Sequence, residues 1–160
     1  MLSILLAGLV LGGVVHFSLL SRFLAGEFRH SFLDPLKYAG IRFIALQETQ
    51  DLLESGEALF IDSRASREFA AGHIPGALSL PLEEMKGSGG SEEEARKSLS
   101  PRLLSFSRDK TLVIYCEGGD CQTSLALARL IHDLGFQDIR VFEGGWAEWS
   151  ALGLPAEVSR

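Results

Sequence analysis

Between Thr111 and Leu134 the sequence changes its period within a few residues. Leu112-Val113-Ile114-Tyr115 is an unbroken apolar run of strand length that ends at Cys116, and the turn Glu117-Gly118-Gly119-Asp120-Cys121 follows. Leu125, Leu127, Ala128, Leu130, Ile131 and Leu134 then recur at helical spacing until Gly135. This pattern predicts a buried strand, a tight turn and a helix that begins at residues 122 to 124. Similar alternation runs through the chain from Ile41 onward. A strand is expected over Ile41–Ala45, a helix over Glu48–Glu54 and a buried strand over Ala58–Asp62. A helix over Arg67–Ala71, a turn over Gly72–Gly76 and a strand over Ala77–Leu80 follow. Short strands alternating with helical segments predict an α/β fold with a mostly parallel sheet flanked by helices. Glu83 to Lys97 holds Gly87-Ser88-Gly89-Gly90-Ser91 and then three consecutive Glu. Its composition reads as a solvated surface insertion leading into a helix.

The opposite end of the chain has a different character. Leu2 to Ser21 is twenty residues without an Asp, Glu, Lys or Arg. As a helix it would be roughly 30 Å long, about one hydrocarbon thickness. Three readings compete: an uncleaved membrane anchor, a cleaved signal peptide and a buried core helix. The stretch has no basic start and Phe23-Leu24-Ala25 matches a small-x-small cleavage site poorly, which favours the anchor. Arg22, Arg29, Lys37 and Arg42 all follow the apolar stretch, so the positive-inside rule places the folded part in the cytoplasm. The expected organisation is a single-pass transmembrane anchor over residues 1–22, a juxtamembrane connector over 23–40 and a folded domain over 41–160. A periplasmic domain remains the alternative topology, and a neighbouring membrane protein or sulfur-relay partner is compatible with either.

Composition excludes several classes of function. Fifteen basic and twenty-one acidic residues in 160 leave a net charge of −6, without the positive footprint that nucleic acid requires. Two cysteines cannot build a disulfide framework. No CxxC or His pair offers the four convergent ligands of a structural zinc site, so no metal is expected. What remains is thiol chemistry.

Cys116 sits where a strand, a glycine turn and a helix start converge. Unpaired N–H groups at a helix start and glycines that let the chain curl make an anion cradle, and the same field favours a thiolate. The loop Glu117, Gly118, Gly119, Asp120, Cys121, Gln122, Thr123 and Ser124 is the candidate cradle, with Cys116 as candidate nucleophile. The bland alternative is a small buried hydrophobe at a strand end.

Several further motifs occur in order. Asp62-Ser63-Arg64, Arg67-Glu68-Phe69 and Gly72-His73-Ile74-Pro75-Gly76-Ala77 precede Tyr115-Cys116, and Val141-Phe142-Glu143-Gly144-Gly145-Trp146, Trp149 and Gly153-Leu154-Pro155 follow it. In these motifs the chain resembles the rhodanese family over about residues 41 to 156. The resemblance implies a sulfurtransferase in which Cys116 takes sulfane sulfur from a donor, carries it as a persulfide and passes it to an acceptor. The donor would be thiosulfate or a low-molecular-weight or protein persulfide, the acceptor a thiol or cyanide, and no cofactor is implied. Asp62 and Arg64 would support the loop from a neighbouring strand end, as their counterparts do in the family. Gly72, Pro75 and Gly76 read as turn formers, His73 as a structural histidine, and Gly144-Gly145-Trp146 with Trp149 as packing against the sheet.

The loop departs from the family pattern in two ways. Rhodaneses commonly carry Arg-Ser at the helix start, whereas Gln122-Thr123 precede Ser124 here and the next Arg is Arg129. The loop is therefore about two residues longer than usual and lacks a side-chain cation. Phosphatases of this fold need Cys-x5-Arg, and Gln122 occupies the Arg position, which argues against phosphate ester hydrolysis. The second departure is Cys121, a candidate resolving thiol five residues after Cys116. It opens a thiol-disulfide redox reading beside the sulfurtransferase, and a non-enzymatic rhodanese-like binding module at the membrane is the third.

Overall fold

The computed structural model describes residues 40–119 and 122–159. The proposed anchor over 2–21, nearly all of the connector, and Asp120 and Cys121 of the loop lie outside the described residues. Among the described residues no helix is long and apolar enough to cross a membrane.

Strands β1 (Ile41–Ile44), β2 (Ala58–Asp62), β3 (Leu78–Ser79), β4 (Thr111–Tyr115) and β5 (Ile139–Phe142) form one sheet in the order β1-β5-β4-β2-β3. Every pairing is parallel. The connecting helices are α1 (Leu46–Ser55), α2 (Ser66–Ala71), α3 (Leu82–Met85), α4 (Glu92–Leu103), α5 (Thr123–Asp133) and α6 (Gly145–Ala151). The architecture is the α/β fold with a parallel sheet that the alternation predicts. The expected strand over Ala77–Leu80 shortens to Leu78–Ser79, because this edge strand pairs with β2 alone.

Both sheet faces are covered, and β4 shows why its run is continuously apolar. Leu112 and Ile114 point into a cluster with Leu127, Ala128 and Ile131 of α5, while Val113 and Tyr115 point into a second cluster with Leu52 of α1 and Trp149 of α6. Successive side chains of a strand face opposite sides, so a strand buried on both faces has no place for a polar residue. The connection leaving β2 runs outward to β3, and the one leaving β4 runs the other way to β5. The carboxyl ends of β2 and β4 therefore border the crevice where an open parallel sheet receives ligands.

In the segment from Glu83 to Lys97 the exposed stretch over residues 87–90 leads into a helix as its composition predicts, but that helix is part of the core and not a surface insertion. Ser91 caps α4 by accepting from the Glu93 and Glu94 amides at 3.2 and 3.4 Å. The three Glu occupy the first turn, where negative charge complements the helix dipole. Ala95, Leu99 and Leu103, spaced four apart, are fully buried against the α5 side of the sheet. Leu99→Ala is accordingly expected to destabilise the fold by about 2–5 kcal/mol, measured by denaturant unfolding. A loss under about 0.5 kcal/mol would place this helix outside the core.

Candidate active site

The site begins where β2 and β4 end side by side. One residue beyond β2, the Ser63 amide and hydroxyl both donate to the Tyr115 carbonyl at 2.9 Å. The same hydroxyl lies 3.2 Å from Oγ1 of Thr123, the first residue of α5. Ser63, a residue to which the sequence reading assigned no role, thus joins two strand ends to the start of the helix.

Arg64 turns back onto the end of β2. Its Nε lies 3.1 Å from both Asp62 oxygens, its Nη2 is 2.7 Å from Oδ2, and its backbone amide donates to Oδ1 at 2.9 Å. Nη2 also donates to the Gly72 carbonyl at 2.7 Å, and Nη1 reaches Glu117 at 3.4 Å. The guanidinium lies 4.8 Å from the centre of the Trp146 ring. Burial opposes the charge on Arg64, but the bonds and field of Asp62 outweigh it and raise the pKa further. The Tyr115 phenol is pushed far above its ordinary value, first by burial and then by the Asp62 charge. It therefore stays protonated at neutral pH, and its oxygen accepts from the Ile74 amide at 3.1 Å. Through the Arg64–Glu117 contact the Asp62–Arg64 pair touches the first residue of the thiol loop. His73 is placed as a structural residue, with Nδ1 2.8 Å from the Phe69 carbonyl and the ring stacked on Phe69.

Cys116 lies buried immediately beyond β4. It is in the disulfide-bonded form, and Sγ accepts a hydrogen bond from the buried Ser124 hydroxyl at 3.3 Å. The backbone that carries it is held from the far side by α6. The Trp146 amide donates to the Cys116 carbonyl at 2.9 Å and the Ala147 amide to the Glu117 carbonyl at 2.8 Å. Such an approach requires two glycines. Gly118, at φ 115°, has the Gly144 carbonyl where a Cβ would stand, and a Cβ on Gly145, at φ 58°, would come within 2.6 Å of the Cys116 carbonyl oxygen. Gly145-Trp146 therefore does more than pack on the sheet, the role that the sequence reading gave it. The Gly144-Gly145 doublet is the local signal of this close approach.

Of the remaining candidate loop residues, Glu117 and Thr123 border a cavity of about 250 Å³ together with Ser63 and Arg64, while Gln122 is exposed. Glu68, Glu83 and Glu84 from elsewhere in the chain also line it. Nothing local in the sequence ties those three glutamates to Cys116; their meeting is a product of topology. Among the described residues no group of three or more His, Cys, Asp or Glu is arranged to hold a metal ion.

The rhodanese-like domain family model matches residues 45–152. The human thiosulfate:glutathione sulfurtransferase is 34% identical over 111 residues, covering 69% of this chain and 95% of that protein. The HTH-type transcriptional regulator Rv0324 of Mycobacterium tuberculosis is 32% identical over 104 residues, covering 65% of this chain but 39% of the regulator. Among solved structures, the human single domain sulfurtransferase superposes with a TM-score of 0.52 at 29% identity, covering 68% of this chain and 95% of that one.

Arg64→Met would leave the Asp62 carboxylate buried without its partner. The expected cost is about 3–5 kcal/mol in denaturant unfolding, with much of it recovered by adding Asp62→Asn. Strictly additive losses in the double variant would show that the two residues are not coupled.

Proposed function

Because this chain belongs to the rhodanese-like domain family, we propose that it is a sulfurtransferase carrying sulfane sulfur as a persulfide on Cys116. The observation that carries this reading is the position of Cys116 itself. It stands at the carboxyl end of a central strand, with a buried hydroxyl donating to its sulfur and a helix starting seven residues on. The name of the human relative supports the reaction class and a low-molecular-weight thiol as an acceptor.

The reaction needs Cys116 in its reduced form. The thiolate attacks the outer sulfur of the donor, and the donor's S–S bond breaks. Sulfite leaves from thiosulfate, or a thiolate from a persulfide, taking the bonding electron pair. An acceptor thiolate or cyanide then attacks the outer sulfur of the Cys116 persulfide and returns the Cys116 thiolate. No net change in oxidation state occurs at Cys116 over the cycle, and no cofactor takes part. Ser124 supplies a hydrogen bond to anionic sulfur, and the positive end of the α5 dipole supplies a favourable field. Residues 2–21 would tether the domain to the cytoplasmic face of a membrane, a reading that rests on the sequence.

The disulfide-bonded state of Cys116 favours a second reading, thiol-disulfide chemistry with Cys121, the chain's other cysteine. Here the Cys121 thiolate attacks the inner sulfur of the Cys116 persulfide, the disulfide forms and hydrosulfide leaves. A dithiol reductant then restores both thiols.

Intact-protein mass spectrometry separates the two. The reduced chain incubated with excess thiosulfate or a persulfide donor is expected to gain about 32 Da, one sulfur atom, and to lose that gain in Cys116→Ser. Loss of two hydrogens without retained sulfur, abolished by Cys121→Ser, would select the redox reading. An unchanged mass with every donor would overturn both.

A further inference from the structure

We propose that the cavity beside Cys116 selects its sulfur donor by charge, discriminating against free thiosulfate dianion and favouring a persulfide flanked by positive groups. The inference rests on the sulfurtransferase reading and names the donor class for that same site.

The cavity borders the thiol loop directly. Glu117 follows Cys116, and Ser63 and Thr123 meet across the loop's two ends. Its volume of about 250 Å³ would hold roughly eight waters at ~30 Å³ each, enough for the end of a small donor or one extended side chain. Among the described lining residues the carboxylates are Glu68, Glu83, Glu84 and Glu117, and the one cation is Arg64.

The charge of Arg64 is already committed. Asp62 takes its forked face, the Gly72 carbonyl takes a further donor, and the remaining nitrogen points at Glu117. A dianion at this guanidinium would have to compete with two carboxylates. Lys86 pairs with Glu83 at 2.8 Å and Arg67 contributes favourably to the field at Glu84, so the outer rim is partly balanced. Counting these, five carboxylates, Asp62 included, still face three cations. Glu84 accepts from both the Ser66 hydroxyl and amide, at 2.6 and 2.7 Å, and these bonds hold its carboxyl below the usual carboxylate range. It is therefore charged at neutral pH. The loop from residue 117 to 124 contains no Lys or Arg to offset this, and the net charge of −6 on the whole chain has the same sign. Helix-start amides stabilise a single negative sulfur at the thiol, but an approaching dianion meets the carboxylates first. A donor bearing an ammonium or guanidinium group meets attraction instead.

The test measures rates of sulfur loading onto the reduced full-length chain by quenched-flow mass spectrometry. Four donors are compared: thiosulfate, the persulfide of 2-mercaptoethanol, which carries no cation, cysteamine persulfide, and a peptide persulfide flanked by lysines. The two ammonium-bearing donors are expected to load at least about tenfold faster than thiosulfate at low salt. Raising the salt from about 0.05 to about 0.5 M should slow the ammonium-bearing donors and speed thiosulfate, with 2-mercaptoethanol persulfide responding less than thiosulfate. Glu83→Lys, which reverses an exposed charge without touching the loop, should shrink the preference several-fold. Cysteamine persulfide matching the peptide identifies a low-mass source, and a faster peptide identifies a protein source. Equal, salt-independent rates, or thiosulfate loading fastest, would overturn charge selection while leaving sulfur transfer intact. Failure of all four donors would remove sulfur transfer itself, and this inference with it.

Discussion

A guanidinium removed from water is costly unless its charge and its donors are met, and Arg64 meets them by gathering groups from four parts of the chain. Asp62 at the end of β2 takes the fork, and the carbonyl of Gly72 fixes the turn after α2. Glu117 in the thiol loop faces the remaining nitrogen, and the ring of Trp146 in α6 covers the guanidinium. None of these segments can shift far without leaving Asp62 or Arg64 buried and unmatched. The pair is thus the reference point from which the thiol loop is positioned. Its strength lies in placement more than in net stability, since desolvation offsets much of the attraction between buried charges.

A second constraint acts from the opposite side of the loop. The α6 amides of Trp146 and Ala147 take the carbonyls of Cys116 and Glu117, and the absence of side chains at Gly118 and Gly145 allows the contact. With Ser63 bridging β2, β4 and α5, the residue carrying the sulfur is held from three directions. Its own sulfur is left facing Ser124 at the helix start. The topology explains why such restraint is concentrated here, because β2 and β4 send their chains in opposite directions and open a crevice between them.

The parts of this arrangement legible in the sequence were those written in local period. The change from the Leu112–Tyr115 run to the Leu125–Leu134 spacing locates β4, the loop and α5 closely, and α5 begins at Thr123. The Ala58–Asp62 strand also matches its expected bounds. α4 was harder to read as core, because its buried face has only Ala95, Leu99 and Leu103 and its start is dominated by three glutamates that serve the helix dipole. The roles of Ser63, Trp146 and the glutamates around the cavity depend on contacts between residues far apart in the chain, which no local pattern encodes. The motif resemblance placed Asp62 and Arg64 near the thiol, but their sharing of Gly72, Glu117 and Trp146 emerges from the fold. The anchor over residues 2–21 stays a reading of composition and flanking charge.

The central claim is that Cys116 holds sulfur in a cradle set by these restraints. A high-resolution crystal structure of the reduced chain after soaking with a sulfur donor tests it most directly. The account predicts one additional sulfur bonded to Cys116 Sγ, directed toward the Ser63–Thr123 edge of the cavity, with the Arg64–Asp62 fork and the Trp146 amide bond to the Cys116 carbonyl unchanged. A bare Cys116 thiol under saturating donor, or sulfur bound elsewhere on the chain, would contradict it.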